Sequence, residues 1–226
     1  MCIHSSTKIQ TMSTKTCTQS IILILAVIAM SLSSCAPVFS ELQSARTAGQ
    51  GNIEATPSFS TVSFSHEGES EGIQNHIGLQ LAYGITATVD LRFRYEHIWF
   101  KDSEADQTYN VIGLGPKFSL LENNIAFYLP LGRALGENTS ETWQLHPTML
   151  FTYPALNNKL DITFASKYLI AFCEDCDNLV ALNLGLAISE DVRRWAVRPE
   201  FGMLFNPGES GHFWHLSLGF TYGFGR

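Results

Sequence analysis

From Asn52 to the end of the chain, apolar and polar residues alternate in one stretch after another. The last stretch is the plainest. Trp214, Leu216, Leu218, Phe220, Tyr222 and Phe224 are interleaved with His215, Ser217, Gly219, Thr221 and Gly223. Successive side chains of a strand point to opposite faces, so this period of two predicts a strand with one greasy face and one small or polar face. The same pattern runs through Ile73–Gly84, Val89–Trp99, Val111–Phe118, Asn124–Leu131, Trp143–Thr152, Leu160–Ile170, Ala181–Ile188 and Trp195–Met203. With the less regular stretch Asn52–Phe64, ten strands are predicted.

The connections differ in kind. "HEGESEG", "KDSEADQ", "RALGENTSE", "CEDCDN" and "NPGESG" are acidic and longer, whereas "GITA", "LENN", "ALNN" and "SEDV" are short turns. An even strand number, strands of about ten residues, and long and short connections in alternation predict an all-β, antiparallel, up-and-down transmembrane β-barrel. On that reading the apolar face meets lipid. Trp99, Trp143, Trp195, Tyr83, Tyr95, Tyr168 and Tyr222 near the strand ends form the interfacial girdles. Pro116, Pro130, Pro147 and Pro199 fall inside strands. Each removes a ladder donor, so bulges or local gaps are expected there.

Composition agrees. Charged residues are 15% of the 226, against about 25% in a typical soluble domain. Beyond the N-terminal region no apolar run reaches the roughly 20 residues a membrane-spanning helix needs. That region has its own pattern: Lys8 and Lys15, then the apolar core Ile21–Met30, then "SLSSC". Basic, apolar and small-residue segments in this order read as a secretory signal over residues 1–34, with Met1 or Met12 as the start. Its removal takes away two lysines and no acid, leaving 12 basic against 21 acidic residues, a net charge of −9. A surface so acidic excludes nucleic acid as a partner. Residues 35–51, including "APVFSELQSARTAGQG", read as a polar tether with room for one helical turn, and residues 52–226 as the barrel domain.

Leu32-Ser33-Ser34-Cys35 resembles a bacterial lipobox. The resemblance implies cleavage before Cys35 and acylation of its sulfur and amine. Acyl chains bury about 0.8 kcal/mol per CH₂ in a bilayer, and several together anchor a protein. Lipobox, short tether and ten alternating strands together resemble the small outer-membrane β-barrel proteins of Gram-negative bacteria, in a lipidated, porin-like variant. That implies the cell outer membrane as location and outer-membrane lipid as partner. The chain departs from such barrels at its end, where Gly225 and Arg226 follow the aromatic Phe224.

Parity turns ten charges inward: Glu54, Asp90, Glu96, Asp161 and Glu200 against Arg92, Arg94, Lys117, Lys167 and Arg198. Ten strands leave only a modest lumen, and an isolated buried ion is very costly. Equal numbers predict that these charges neutralise one another in an ion-paired lumen. A narrow small-solute channel lined by Asp90, Arg92, Arg94, Glu96, Arg198 and Glu200 is the alternative. The acidic connections carry Glu67, Glu69, Glu71, Asp102, Glu104, Asp106, Glu174, Asp175 and Asp177. They read as a solvated rim, or as collectors of divalent cations, which take several oxygen ligands. Cys173 and Cys176 share the spacing of a redox pair without its helix start, and without further ligands they make a poor zinc site. A loop disulfide is the expectation in an oxidising compartment.

Two hydrolase readings are open. His215-Leu216-Ser217 resembles the His-x-Ser of outer-membrane lipid A deacylases, although parity here points the pair into the lumen, where Asp161 or Glu200 could be its third member. His66 and His212, with Glu67 and Glu209, occupy the rim as in ten-stranded outer-membrane proteases, whose motifs are absent. The expectation is a non-enzymatic envelope protein with no cofactor and no bound metal.

Overall fold

The computed structural model describes residues 38–101, 108–136, 142–173 and 176–225. The described residues belong to one compact unit. This unit contains β1 (Ile53–His66), β2 (Glu69–Gly84), β3 (Val89–Phe100), β4 (Thr108–Leu121), β5 (Ile125–Tyr128), β6 (Leu131–Leu135), β7 (Trp143–Leu145), β8 (Thr148–Ala155), β9 (Leu160–Ala171), β10 (Leu179–Ile188), β11 (Trp195–Phe205) and β12 (His212–Phe224).

All pairings are antiparallel, and β1 pairs with β12, so the sheet closes on itself. β5 and β6 both pair with β4, and β7 and β8 both pair with β9. Each of these couples is one barrel strand in two pieces, so twelve strands make a ten-stranded, up-and-down barrel.

The prolines explain the breaks. Pairing with β4 lapses between Leu114↔Leu131 and Lys117↔Tyr128, where Pro116 lies opposite the break at Pro130. Pairing with β9 lapses between Leu145↔Ile170 and Thr148↔Lys167, at Pro147. Around Pro199 the β10–β11 ladder skips from Gly185↔Glu200 to Ile188↔Val197. The proline carbonyls still accept: His146 N–H donates to Pro130 O and Tyr168 N–H to Pro147 O, both at 3.0 Å. Only the missing donors open the ladder.

One end of the barrel carries the short turns after β2, β4, β8 and β10, and it also holds the start of β1 and the end of β12. At the other end, "HEGESEG" is not a loop. β1 runs to His66 and β2 starts at Glu69, leaving the two-residue turn Glu67–Gly68, with Glu69 and Glu71 inside a strand. The ladder continues through this acidic stretch because a bulge at Val62/Ser63 restores its register.

The outside is apolar. Phe59, Ile77, Leu79, Leu81, Leu114, Leu184, Leu216, Leu218 and Phe220 are all exposed. A belt of this extent on a soluble monomer would be anomalous; on a closed barrel it is the lipid face.

Residues 38–48 lie inside. Read from the sequence as part of a tether, this segment is irregular, with Leu42 in the left-handed region (φ 51°) and a bend at Ala45; it contains no helical turn and joins no strand ladder. Val38, Phe39, Leu42, Ala45 and Ala48 are buried. Phe39 packs on Val62, Leu169, Ala181 and Leu204, near the long-loop end. Ala45 packs on Ala126, Tyr128, Leu150 and Ala165, and Ala48 reaches Asp90 beside the turn after β2. The segment therefore runs the length of the lumen, from the long-loop end to the short-turn end. There Gly51 N–H donates to Gly84 O at 2.8 Å, and the Gly49 carbonyl occupies the place a Gly84 side chain would need.

Candidate functional site: the occupied lumen

An irregular chain inside a barrel must satisfy main-chain groups that no ladder satisfies. Wall side chains do it here. Glu200 accepts from Glu41 N–H at 2.6 Å and Leu42 N–H at 2.7 Å. Thr152 Oγ1 accepts from Ala45 N–H at 2.8 Å, and Asp90 from Ala48 N–H at 3.0 Å. In the other direction, Asn183 Nδ2 donates to Phe39 O at 2.8 Å, Arg94 to Ser40 O at 2.5 Å and Gln80 to Glu41 O at 3.0 Å. Lys117 donates to Ser44 O at 3.3 Å and also to Arg46 O. Lys167 lies 3.4 Å from both Val38 O and Ser40 O.

Two ion pairs fix the register of the segment. Lys167 Nζ meets Glu41 Oε1 at 2.6 Å. Arg46 forks onto Asp161, with Nε–Oδ2 at 2.7 Å and Nη2–Oδ1 at 3.0 Å. Arg46 further donates to Asn158 Oδ1 at 3.0 Å and Asn123 Oδ1 at 3.2 Å, in the turns below β8 and β4.

All ten charges named from the sequence lie on the inner wall. Nine are buried, and the Arg94 side chain is 12% exposed. They do not simply neutralise one another. Arg94 pairs with Glu96 at 2.8 Å; Arg92 sits 3.7 Å from both Glu54 and Asp90; Lys117 is 3.4 Å from Asp90. Asp161 and Lys167, however, take their partners from the lumen segment, Glu200 holds that segment's N–H groups, and Arg198 donates to Thr221 Oγ1 at 2.7 Å. Because Glu41 and Arg46 add one charge of each sign, the interior stays balanced, as a low-dielectric core requires. The gap lined by Leu42, Gln43, Arg46, Glu54, Arg92 and Arg198 has room for about one water molecule.

Alternation along the chain gives no hint of this segment. Its signal in the sequence is the pair Glu41 and Arg46 in an otherwise uncharged stretch, together with the inward amides Gln80 and Asn183, which donate to its carbonyls.

His215 and Ser217 do meet. His215 Nδ1 and Ser217 Oγ are 2.7 Å apart, with His215 Nε2 3.1 Å from Asn183 Oδ1 and 3.7 Å from Glu200 Oε1. Asp161 instead engages Arg46. The Ser217 hydroxyl donates to Ser60 Oγ at 2.6 Å, and the Phe39 ring stands edge-on to the imidazole at 4.7 Å. Both residues are buried, so in this state the pair is a packed polar network beneath the lumen segment. At the rim, His66 stacks on Phe64 and approaches Glu67 at 3.8 Å, while His212 pairs with Ser65 in the β1–β12 ladder.

Cys173 and Cys176 form a disulfide. Cys35 lies outside the described residues, as do Asp102, Glu104, Asp106, Glu174 and Asp175 of the acidic connections. Among the described residues no three His, Cys, Asp or Glu side chains gather as metal ligands. In the turn before β11, Arg193 donates to both carboxylate oxygens of Asp191, at 3.0 and 3.3 Å, and this hydrogen bonding holds the carboxyl below its ordinary value.

Ten antiparallel strands closed on themselves, lipid-compatible outside, ion-paired inside, with short turns at one end, define an outer-membrane β-barrel. No family model matches the chain, and no curated protein matches it. Among solved structures it is similar to Ail, the attachment invasion locus protein of Yersinia pestis, at 13% identity and TM-score 0.39, over 77% of this chain and 99% of that one. It is similar to Neisserial surface protein A at 12% and 0.36, over 76% and 99%. For the translocator domain of the autotransporter NalP from Neisseria meningitidis the values are 8% and 0.42, over 92% and 97%.

Proposed function

We propose that this protein is a closed, non-enzymatic barrel of the outer membrane, acylated at Cys35, whose lumen serves as an ion-paired core. The observation that carries this reading is the segment 38–48, which fills the lumen and takes up the wall charges a solute path would have used. A hydrolase would need substrate at Ser217, and Phe39 and the segment cover that site. The lipid anchor rests on the Leu32–Cys35 motif.

Two measurements test the proposal. Full-length protein inserted into planar bilayers is expected to give no conductance steps at any voltage; steady open-channel currents from the unmodified chain would refute the closed state. Cells fed labelled palmitate are expected to label the protein, and Cys35→Ala to remove the label. An unlabelled wild type would end the lipoprotein reading and leave the barrel reading intact.

A further inference from the structure

We infer that the filled lumen binds one halide ion, such as chloride, between Arg92 and Arg198 near the short-turn end of the barrel. The water-sized gap supplies the place. Arg46, Arg92 and Arg198 line it against a single carboxylate, Glu54, and Val192 of the turn before β11 borders it.

Arg198 carries the inference. It is 6% exposed, and its Nε donates to Thr221 Oγ1 at 2.7 Å. Among the described residues no carboxylate forms an ion pair with it, and neither Nη1 nor Nη2 donates to any group. A guanidinium presents five N–H donors in a fixed fork, so four remain without a protein acceptor beside the gap. Burying a charge in that state is strongly unfavourable. Two main-chain donors join them. The N–H groups of Gln43 and Ser44, residues that also line the gap, donate to no group among the described residues.

The local charges point the same way. Around the short-turn end, Arg46, Arg92, Lys117 and Arg198 meet only Glu54, Asp90 and Asp161. Arg46 is taken by Asp161, and Asp90 is shared between Arg92 at 3.7 Å and Lys117 at 3.4 Å. Four cations thus face three carboxylates. Higher in the lumen the excess is opposite, with Glu41, Glu96 and Glu200 against Arg94 and Lys167. There the surplus carboxylate, Glu200, is met by the N–H groups of Glu41 and Leu42. Among the described residues nothing comparable meets the surplus cation.

These features select the ligand. A water molecule would leave the charge in place, whereas an anion neutralises it and accepts charge-assisted hydrogen bonds from every side. Room for about one water molecule admits a monatomic ion and excludes sulfate or phosphate. The ion sits with segment and wall both in place. Its binding depends neither on acylation of Cys35 nor on conductance, so this inference goes beyond the proposed function and fails separately from it.

The experiment uses the full chain. Urea unfolding, followed by tryptophan emission at constant ionic strength, is run with chloride or bromide replacing gluconate. The wild-type midpoint is expected to rise with halide concentration, because the ion binds the folded state alone. Arg198→Met, checked for folding by its unheated gel mobility, is expected to lose that response. Glu54→Gln removes the carboxylate that repels the ion, and should reach half the effect at a halide concentration at least about tenfold lower. Wild-type crystals grown in bromide are expected to show an anomalous-scattering peak between Arg92 and Arg198.

A wild-type midpoint that ignores halide would overturn the inference, and so would crystals without the peak. A peak with no response in solution would mean an adventitious ion only, which overturns it as well. So does a folded Arg198→Met that keeps the response. Should Arg198→Met fail to fold, Glu54→Gln decides, and half-effect at an unchanged or higher concentration sinks the halide site.

Discussion

Replacing Arg46 by Met takes the hydrogen-bonded cation away from a carboxylate that is fully buried, since Asp161 has no exposed side-chain surface. At 4 Å two unit charges attract by about 4 kcal/mol at an effective dielectric of 20. Removing one partner of a buried pair costs about 3–5 kcal/mol, because the other charge stays behind without compensation. Asp161→Asn should cost a similar amount for the mirror reason. The double variant, Arg46→Met with Asp161→Asn, leaves no buried ion of this pair. Its loss should therefore fall short of the sum of the single losses by about 2–4 kcal/mol. The bonds from Arg46 to Asn123 and Asn158 vanish in both Arg46 variants and cancel in the cycle. Urea unfolding of vesicle-embedded protein, followed by tryptophan emission, measures each corner. Losses that add to within about 0.5 kcal/mol would mean the two groups are not coupled. Arg46 would then not be seated as described.

Phe39→Ala should cost about 3–5 kcal/mol in the same titration, and it should expose His215 to imidazole-modifying reagents. Gly84→Ala should abolish the folded band on unheated gels, because the new carbon lands on the Gly49 carbonyl. Gly113→Ala, whose added carbon has nothing nearer than 3.8 Å, should stay within about 0.5 kcal/mol of wild type. Asp191 has a lowered folded pKa, so its contribution is present above the unfolded value of 3.8 and is lost as pH falls through the folded value. The stability difference between wild type and Asp191→Asn should accordingly hold at neutral pH and shrink to nothing in strong acid.

The alternation of residues carried most of the barrel, because every strand buries one face in lipid and the other in the lumen, and such a two-sided element writes its period into the chain. Even the breaks could be read, since Pro130 and Pro147 cannot donate to a ladder. What the pattern hid has a common cause. Residues 38–48 form no element of their own; their path is held by Glu200, Thr152, Asn183 and the other wall groups, which lie far away in sequence. A period detects faces, and this segment is surrounded on every side. Its burial therefore left no repeat, and the partners of Asp161 and Lys167 stayed out of sight with it. The hairpin at Glu67–Gly68 was obscured differently: its acidic residues look like a loop, yet they occupy a strand that rises beyond the lipid belt.

The threaded segment also changes a parity. Ten strands alone return a chain to the side from which it started, so both ends of an ordinary even barrel share a compartment. Here the passage from Val38 to Ala48 adds an eleventh traverse. The described chain therefore starts on one face of the membrane and finishes, at Gly225, on the other.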